Sequence, residues 1–194
     1  GKKYIDGNRT SEYEPNGSFE WPYKTIAAAI EDTVAISDEL KADIISSTLT
    51  PSIKEFTILE VAALYEENLT IDRSLKIIGE SKLLTQIDTL TITGSDLLIV
   101  LENLRIANLS GDFTGIVACY NCTINRAELP PEVLVLCDTV DSDDDFITGG
   151  GQFKNCEFQS FSVVMAENKE HSVILRGSSI VGNINVTDAP NASL

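Results

Sequence analysis

LENLRIANLSGDFTGIVACYNCTI, residues 101–124, contains one six-residue string twice. LENLRI (101–106) and CYNCTI (119–124) each place apolar or small residues at positions one, four and six, and asparagine at position three. A strand that buries one face alternates with strict period two, so a change of phase at the third position marks a bend. Asparagine suits such a bend, because its short side chain tolerates the left-handed backbone region and hydrogen-bonds locally. Outward from this stretch the string recurs as IDTLTI (87–92), VLCDTV (135–140), FKNCEF (153–158) and LRGSSI (175–180), with an earlier relative, DRSLKI, at 72–77. From residue 87 onward the starts are separated by 14, 18, 16, 18 and 22 residues. Strand, bend and strand, repeated about every 20 residues, describes a coil whose rungs stack and complete one another's cores. An antiparallel sandwich with irregular turns is the competing architecture, and it has no reason to keep such a period.

The first quarter of the chain has a different texture. Residues 1–24 are polar and turn-rich, with Asp6-Gly7, Pro15 and Asn16-Gly17, and form an N-terminal arm with a lead-in turn. Ile26, Ile30 and Val34 recur every four residues with alanines between them, which predicts a helix over 25–37 with Thr25 as its N-cap. Residues 38–55, DELKADIISSTLTPSIKE, fit no single period and read as an insertion at the start of a coil that occupies 38–194.

Composition narrows the classes of function. The 194 residues are 43% hydrophobic and 23% charged, an ordinary globular balance. With 14 Lys+Arg against 30 Asp+Glu the formal charge is -16, a field that repels nucleic-acid phosphates and anionic lipid surfaces. Nucleic acid is therefore not expected as a partner. No apolar run approaches the about 20 residues that span a bilayer, so no membrane insertion is expected. GKKYIDGNRT has two lysines and no apolar stretch behind them, so no signal peptide is expected there. Seven Asn-x-Ser/Thr triplets arise easily in a coil rich in Asn and Thr and carry no weight.

Three strings together, GSFEWPYKTIAAAI (17–30), FTILEVAALYEENLTI (56–71) and LKIIGES (75–81), resemble the opening of the pectin-lyase-like right-handed parallel β-helices. Pro22-Tyr23, Thr25-Ile26, Tyr65-x-Glu67-x-Leu69-x-Ile71 and Gly79 carry the resemblance, while Ala62-Ala63 replaces the usual Pro-Gly. The stretch YIDGNRTSEYEPNGSFEWPYKTI further resembles the start of β-helical domains in phage and other viral appendage proteins. The resemblance implies a homotrimeric tail spike, fibre or decoration protein, with other virion proteins and host surface glycans as partners. It equally admits a polysaccharide lyase, hydrolase or esterase.

The residues give that enzymatic alternative little support. Glycoside hydrolysis needs two carboxylates about 5 to 9.5 Å apart across one bond. The outward positions of the repeats carry Glu102, Arg105, Tyr120, Thr123, Lys154, Glu157 and Arg176, a mixed face with Glu102 and Glu157 on non-adjacent rungs. Asp145-Phe146-Ile147-Thr148-Gly149 matches part of an esterase string, but its companion motifs are missing. Asp141, Asp143 and Asp145 mimic the start of a calcium loop, yet Phe146 stands where Gly is needed and Gln152 where Glu is needed. They remain candidates for a looser structural Ca²⁺ site, the one cofactor considered, against the simpler reading of a solvated acidic loop. Cys119-x-x-Cys122 has zinc-ligand spacing, but Cys137 and Cys156 stand alone and all four read as small buried hydrophobes. His171, the single histidine, follows a charged stretch and is expected at the surface.

The expected fold is all-β: a single-stranded right-handed parallel β-helix with an N-terminal capping α-helix, on which Trp21 and Tyr23 pack against the first rung. The expected function is that of a non-enzymatic structural or adhesion module of a virion, with no catalytic residue assigned; a secreted or cell-surface bacterial adhesin is the further alternative. The tail TDAPNASL has no evident cap, so the last rung is expected to abut another domain or subunit.

Overall fold

In the computed structural model, which describes residues 2–10, 12–33, 58–62, 67–167 and 169–188, twelve strands form one parallel sheet wound into a solenoid of about six turns. In chain order they are β1 (Lys2–Asp6), β2 (Ile58–Ala62), β3 (Asn68–Ile71), β4 (Leu75–Gly79), β5 (Gln86–Glu102), β6 (Arg105–Glu128), β7 (Leu134–Thr148), β8 (Gly151–Lys154), β9 (Glu157–Met165), β10 (Val173–Arg176), β11 (Ser179–Ile180) and β12 (Ile184–Asp188). One helix, α1 (Ile26–Glu31), lies near the start. The proposed insertion at 38–55, helix positions 34–37 and Tyr65 lie outside the described residues.

The strands pair around three faces. The first stacks β1, β2, β4, the end of β5, the middle of β6 and the start of β7, then β8 and β10. A corner leads to a short second face, where Arg105, Thr123, Asp141, Glu157 and Ser179 head successive rungs or follow one another in register. The third face runs from β3 through β5, β6 and the end of β7 to β9 and β12. β5, β6 and β7 are long because their pairing continues around the corners. β1 is already part of this sheet, so the N-terminal arm supplies the first strand as well as the lead-in turn.

The corner after the first face is where the repeat acts. Asn103, Asn121, Thr139, Asn155 and Gly177 all have φ between 50° and 61°, the left-handed region. They stack as one column, and Asn121 Nδ2 donates to Asn103 Oδ1 at 2.9 Å. The strings 101–106 and 119–124 are in register, as are 153–158 and 175–180. Between them the register differs from the sequence alignment: Cys119 pairs with Cys137 and Tyr120 with Asp138, so the equivalent string is 137–142 rather than 135–140. The reason is Thr139, which takes the left-handed position although its β-branched side chain disfavours it. IDTLTI sits one face later, with Ile87 opposite Ile106. The turn of that coil passes through Gly79, whose Cβ would lie 2.3 Å from the Asn103 carbonyl oxygen.

Inward side chains fill the coil: Ile99, Leu101, Val117, Cys119, Val135 and Cys137 on the first face and Leu69, Leu90 and Leu109 on the third are buried. Toward the C-terminal end the core becomes aromatic, with Phe146, Phe153, Phe158 and Phe161 in mutual contact at centroid distances of 4.9 to 6.0 Å. Rungs approach closely where side chains are missing: a Cβ on Gly111 would fall 1.9 Å from the Ile92 carbonyl oxygen.

Candidate functional site

The outer surface of the first face carries Glu102, Tyr120, Asp138, Lys154 and Arg176 as one register column. Asp138 accepts from Thr139 Oγ1 at 3.0 Å, Lys154 Nζ at 3.2 Å and Asn155 Nδ2 at 3.3 Å. Burial raises its pKa, and those donors together outweigh this and hold it below the ordinary carboxylate value. Beside it Tyr120, Gln152, Ile174 and Arg176 line a shallow cavity of about 170 Å³. The column's two carboxylates are met locally, Glu102 by Lys76 and Asp138 by Lys154, as on a solvated face.

One carboxylate pair escaped the sequence reading. Asp141 and Glu157 are register neighbours on adjacent rungs of the second face. The alignment missed it because the string around Thr139 was placed two residues early. Asp141 is bound to Lys82 Nζ at 2.7 Å, reached across the rungs by the turn at 81–84. Asp143 and Asp144 are exposed at the corner between the second and third faces, within β7, where the register with β9 shifts between Ser142 and Asp145. The acidic run is therefore strand and corner rather than a loop. Among the described residues no group of three or more His, Cys, Asp or Glu side chains is placed to hold a metal ion, and Asp141, Asp143 and Asp145 are not gathered into one.

All four cysteines are buried free thiols. Burial pushes the Cys122, Cys137 and Cys156 thiols up, away from the reactive thiolate. His171 is half-buried rather than on the surface, and both ring nitrogens are engaged, Nδ1 with the Gly149 carbonyl at 2.6 Å and Nε2 with the Ala166 amide at 2.8 Å.

At the N-terminal end residues 16–32 build a cap. Gly17, at φ 77°, turns the chain so that its carbonyl accepts from Tyr4 N, and Tyr23 exchanges backbone hydrogen bonds with Tyr4 and Asp6. The edge of β1 is thereby covered. Tyr23 is buried, and its hydroxyl donates to Asp32 Oδ2 at 2.6 Å. Burial first, then that bond, pushes its pKa up to about 12. Lys3 also binds Asp32, and these two donors, Lys3 foremost, hold the Asp32 carboxyl below its ordinary value. Trp21 departs from expectation: it stays 39% exposed and packs on Tyr13 instead of the first rung. Helix α1 starts at Thr25, whose Oγ1 accepts from Ala28 N at 3.2 Å. Glu67 completes the cap by accepting from Ile26 N at 3.1 Å and Ala27 N at 3.3 Å.

Between this cap and the first coils lies a cavity of about 310 Å³. Tyr4, Phe19, Pro22 and Ile78 form its apolar walls, and Asp6, Arg9 and Glu80 its polar ones. Phe19 is 78% exposed and meets Tyr4 edge-on at 5.4 Å; Arg9 Nη1 donates to the Phe19 carbonyl at 3.3 Å. Sequence reasoning missed this cleft because it joins residues 4–22 to 78–80 across the first face.

The C-terminal end is built oppositely. Leu175, Ile180, Ile184 and Val186 continue the inward columns of Phe153, Phe158, Phe161 and Val163. Yet Leu175 is 41% exposed, Ile184 61% and Val186 60%. β10, β11 and β12 each pair with one strand only among the described residues. Set against known proteins, the chain matches no family model, no curated protein and no solved structure.

Proposed function

We propose that this chain is a non-enzymatic structural and adhesion module of a viral particle, such as a phage tail spike, fibre or decoration protein, acting as a homotrimer. The observation that carries the structural part is the last coil, whose inward residues are exposed and whose strands, among the described residues, pair on one side only, while the opposite end is capped. Such an end is a template for further strands or for a partner subunit. The viral part rests on the resemblance of residues 4–26 to appendage proteins and of 17–30, 56–71 and 75–81 to the pectin-lyase-like opening. The N-terminal cleft suits a host-surface glycan, with the Tyr4 and Phe19 rings for sugar C–H faces and Asp6 and Glu80 for hydroxyls. Light scattering on the purified chain tests assembly: a trimer is expected, and a monomer at all concentrations overturns that part.

A second reading, a carbohydrate-active enzyme, is favoured by one observation, the in-register Asp141 and Glu157. Cleavage of acidic polysaccharides that vanishes in Asp141→Asn and Glu157→Gln would establish it and overturn the non-enzymatic reading.

A further inference from the structure

We infer that His171 is a protonation-sensitive latch on the last coil. The ring sits in the connection between β9 and β10 and bridges two backbone groups of opposite kind: the Gly149 carbonyl, 2.6 Å from Nδ1, and the Ala166 amide nitrogen, 2.8 Å from Nε2. A carbonyl can only accept and an amide N–H can only donate, so the ring is the neutral tautomer with its proton on Nδ1. A second proton on Nε2 would set N–H against N–H. The bond to Gly149 survives, whereas the Ala166 amide loses its acceptor and is repelled. The latch thus opens on the side where β9 ends.

Immediately after the ring, the Ser172 carbonyl accepts from Gly151 N at 2.8 Å and leads into β10, which among the described residues pairs with β8 alone. A coil held on one side depends on its connection for register, and such segments open at the low end of the local stability scale. Among the described residues, the charged groups that line the same pocket as the ring are Glu132 from the turn at 131–134, and Lys169 and Glu170 from the connection itself; Glu167 follows Ala166, and Gly149–Gly151 brings none.

Amide hydrogen exchange on the full chain tests the latch between about pH 8 and about pH 5, the range in which histidine changes charge. After correction for intrinsic rates, Ala166 and the β10 amides should exchange at least about fivefold faster at the acid end, while Val117 and Cys119 hold. His171→Gln should abolish the dependence on pH. An unresponsive wild type overturns the proposal, and so does the same acid response in His171→Gln, which would assign it to Glu132 or Glu170. If that variant does not fold, ring ¹⁵N shifts of the wild type decide instead. The Nδ1–H tautomer should give way to the doubly protonated ring in step with Ala166 exchange; a ring that titrates without that change, or the other tautomer, overturns the latch.

Discussion

At the N-terminal end, residues 16–23 cover the free edge of β1, and α1 is anchored over the first coils by Thr25 and Glu67. At the C-terminal end, Leu175, Ile184 and Val186 continue the core columns into solvent. Repetition makes another rung and cannot by itself make an end, since every inward position it supplies needs a further layer above it. Closing the coil requires non-repeating sequence, and among the described residues such sequence covers the N-terminal end. The difference leaves a lined cleft beneath the cap at one end and, among the described residues, an exposed apolar edge at the other.

The exposed C-terminal coils still belong to the cooperative unit, because the phenylalanine cluster ties them to β7. Phe158→Ala, which removes one ring from the four-phenylalanine cluster, should cost about 3–5 kcal/mol in urea unfolding. A loss under about 1 kcal/mol would mean that the C-terminal coils unfold separately. At the capped end, Glu67→Ala should cost about 1–2 kcal/mol by leaving the Ile26 and Ala27 amides without their acceptor. Faster exchange should be confined to α1 and β1; a loss spread evenly along the coil would refute the cap as a local device.

Acid sharpens the contrast further. The Asp32 carboxyl is held low by Lys3 and Tyr23, so its contribution is full above the ordinary aspartate value and is lost as pH falls through the lowered one. Exchange at Tyr23 and Ala28 should therefore rise below about pH 4, and less so in Asp32→Asn. High salt should weaken the effect, because Asp32 is well exposed. The smallest expected effect has the opposite sign and lies between the ends. Thr139→Asn gives the left-handed corner the residue its neighbours use, and should stabilise by about 0.5–1 kcal/mol in the same urea assay. Destabilisation would show that the Thr139 hydroxyl on Asp138 outweighs the backbone strain.

Asn103, Asn121 and Asn155 were legible as corner residues because a short amide side chain is the ordinary occupant of a left-handed bend. Thr139 was not, since a β-branched residue there is imposed by the rungs on either side; the two-residue slip then hid the Asp141–Glu157 pair. His171 read as a surface residue because its partners are backbone groups, one of them 22 positions away, which no side-chain pattern announces. Glu67 was visible as part of a resemblance, while its role, capping a helix 41 residues earlier in the chain, needed the fold.

The sequence by itself determined that the chain coils in parallel rungs and where one corner of the coil turns, because period and backbone preference are local properties. Only the tertiary structure decided which side chains become neighbours across rungs, what lines the N-terminal cleft, and that the two ends differ. Those depend on register, and register is set by the packing of each coil against the next.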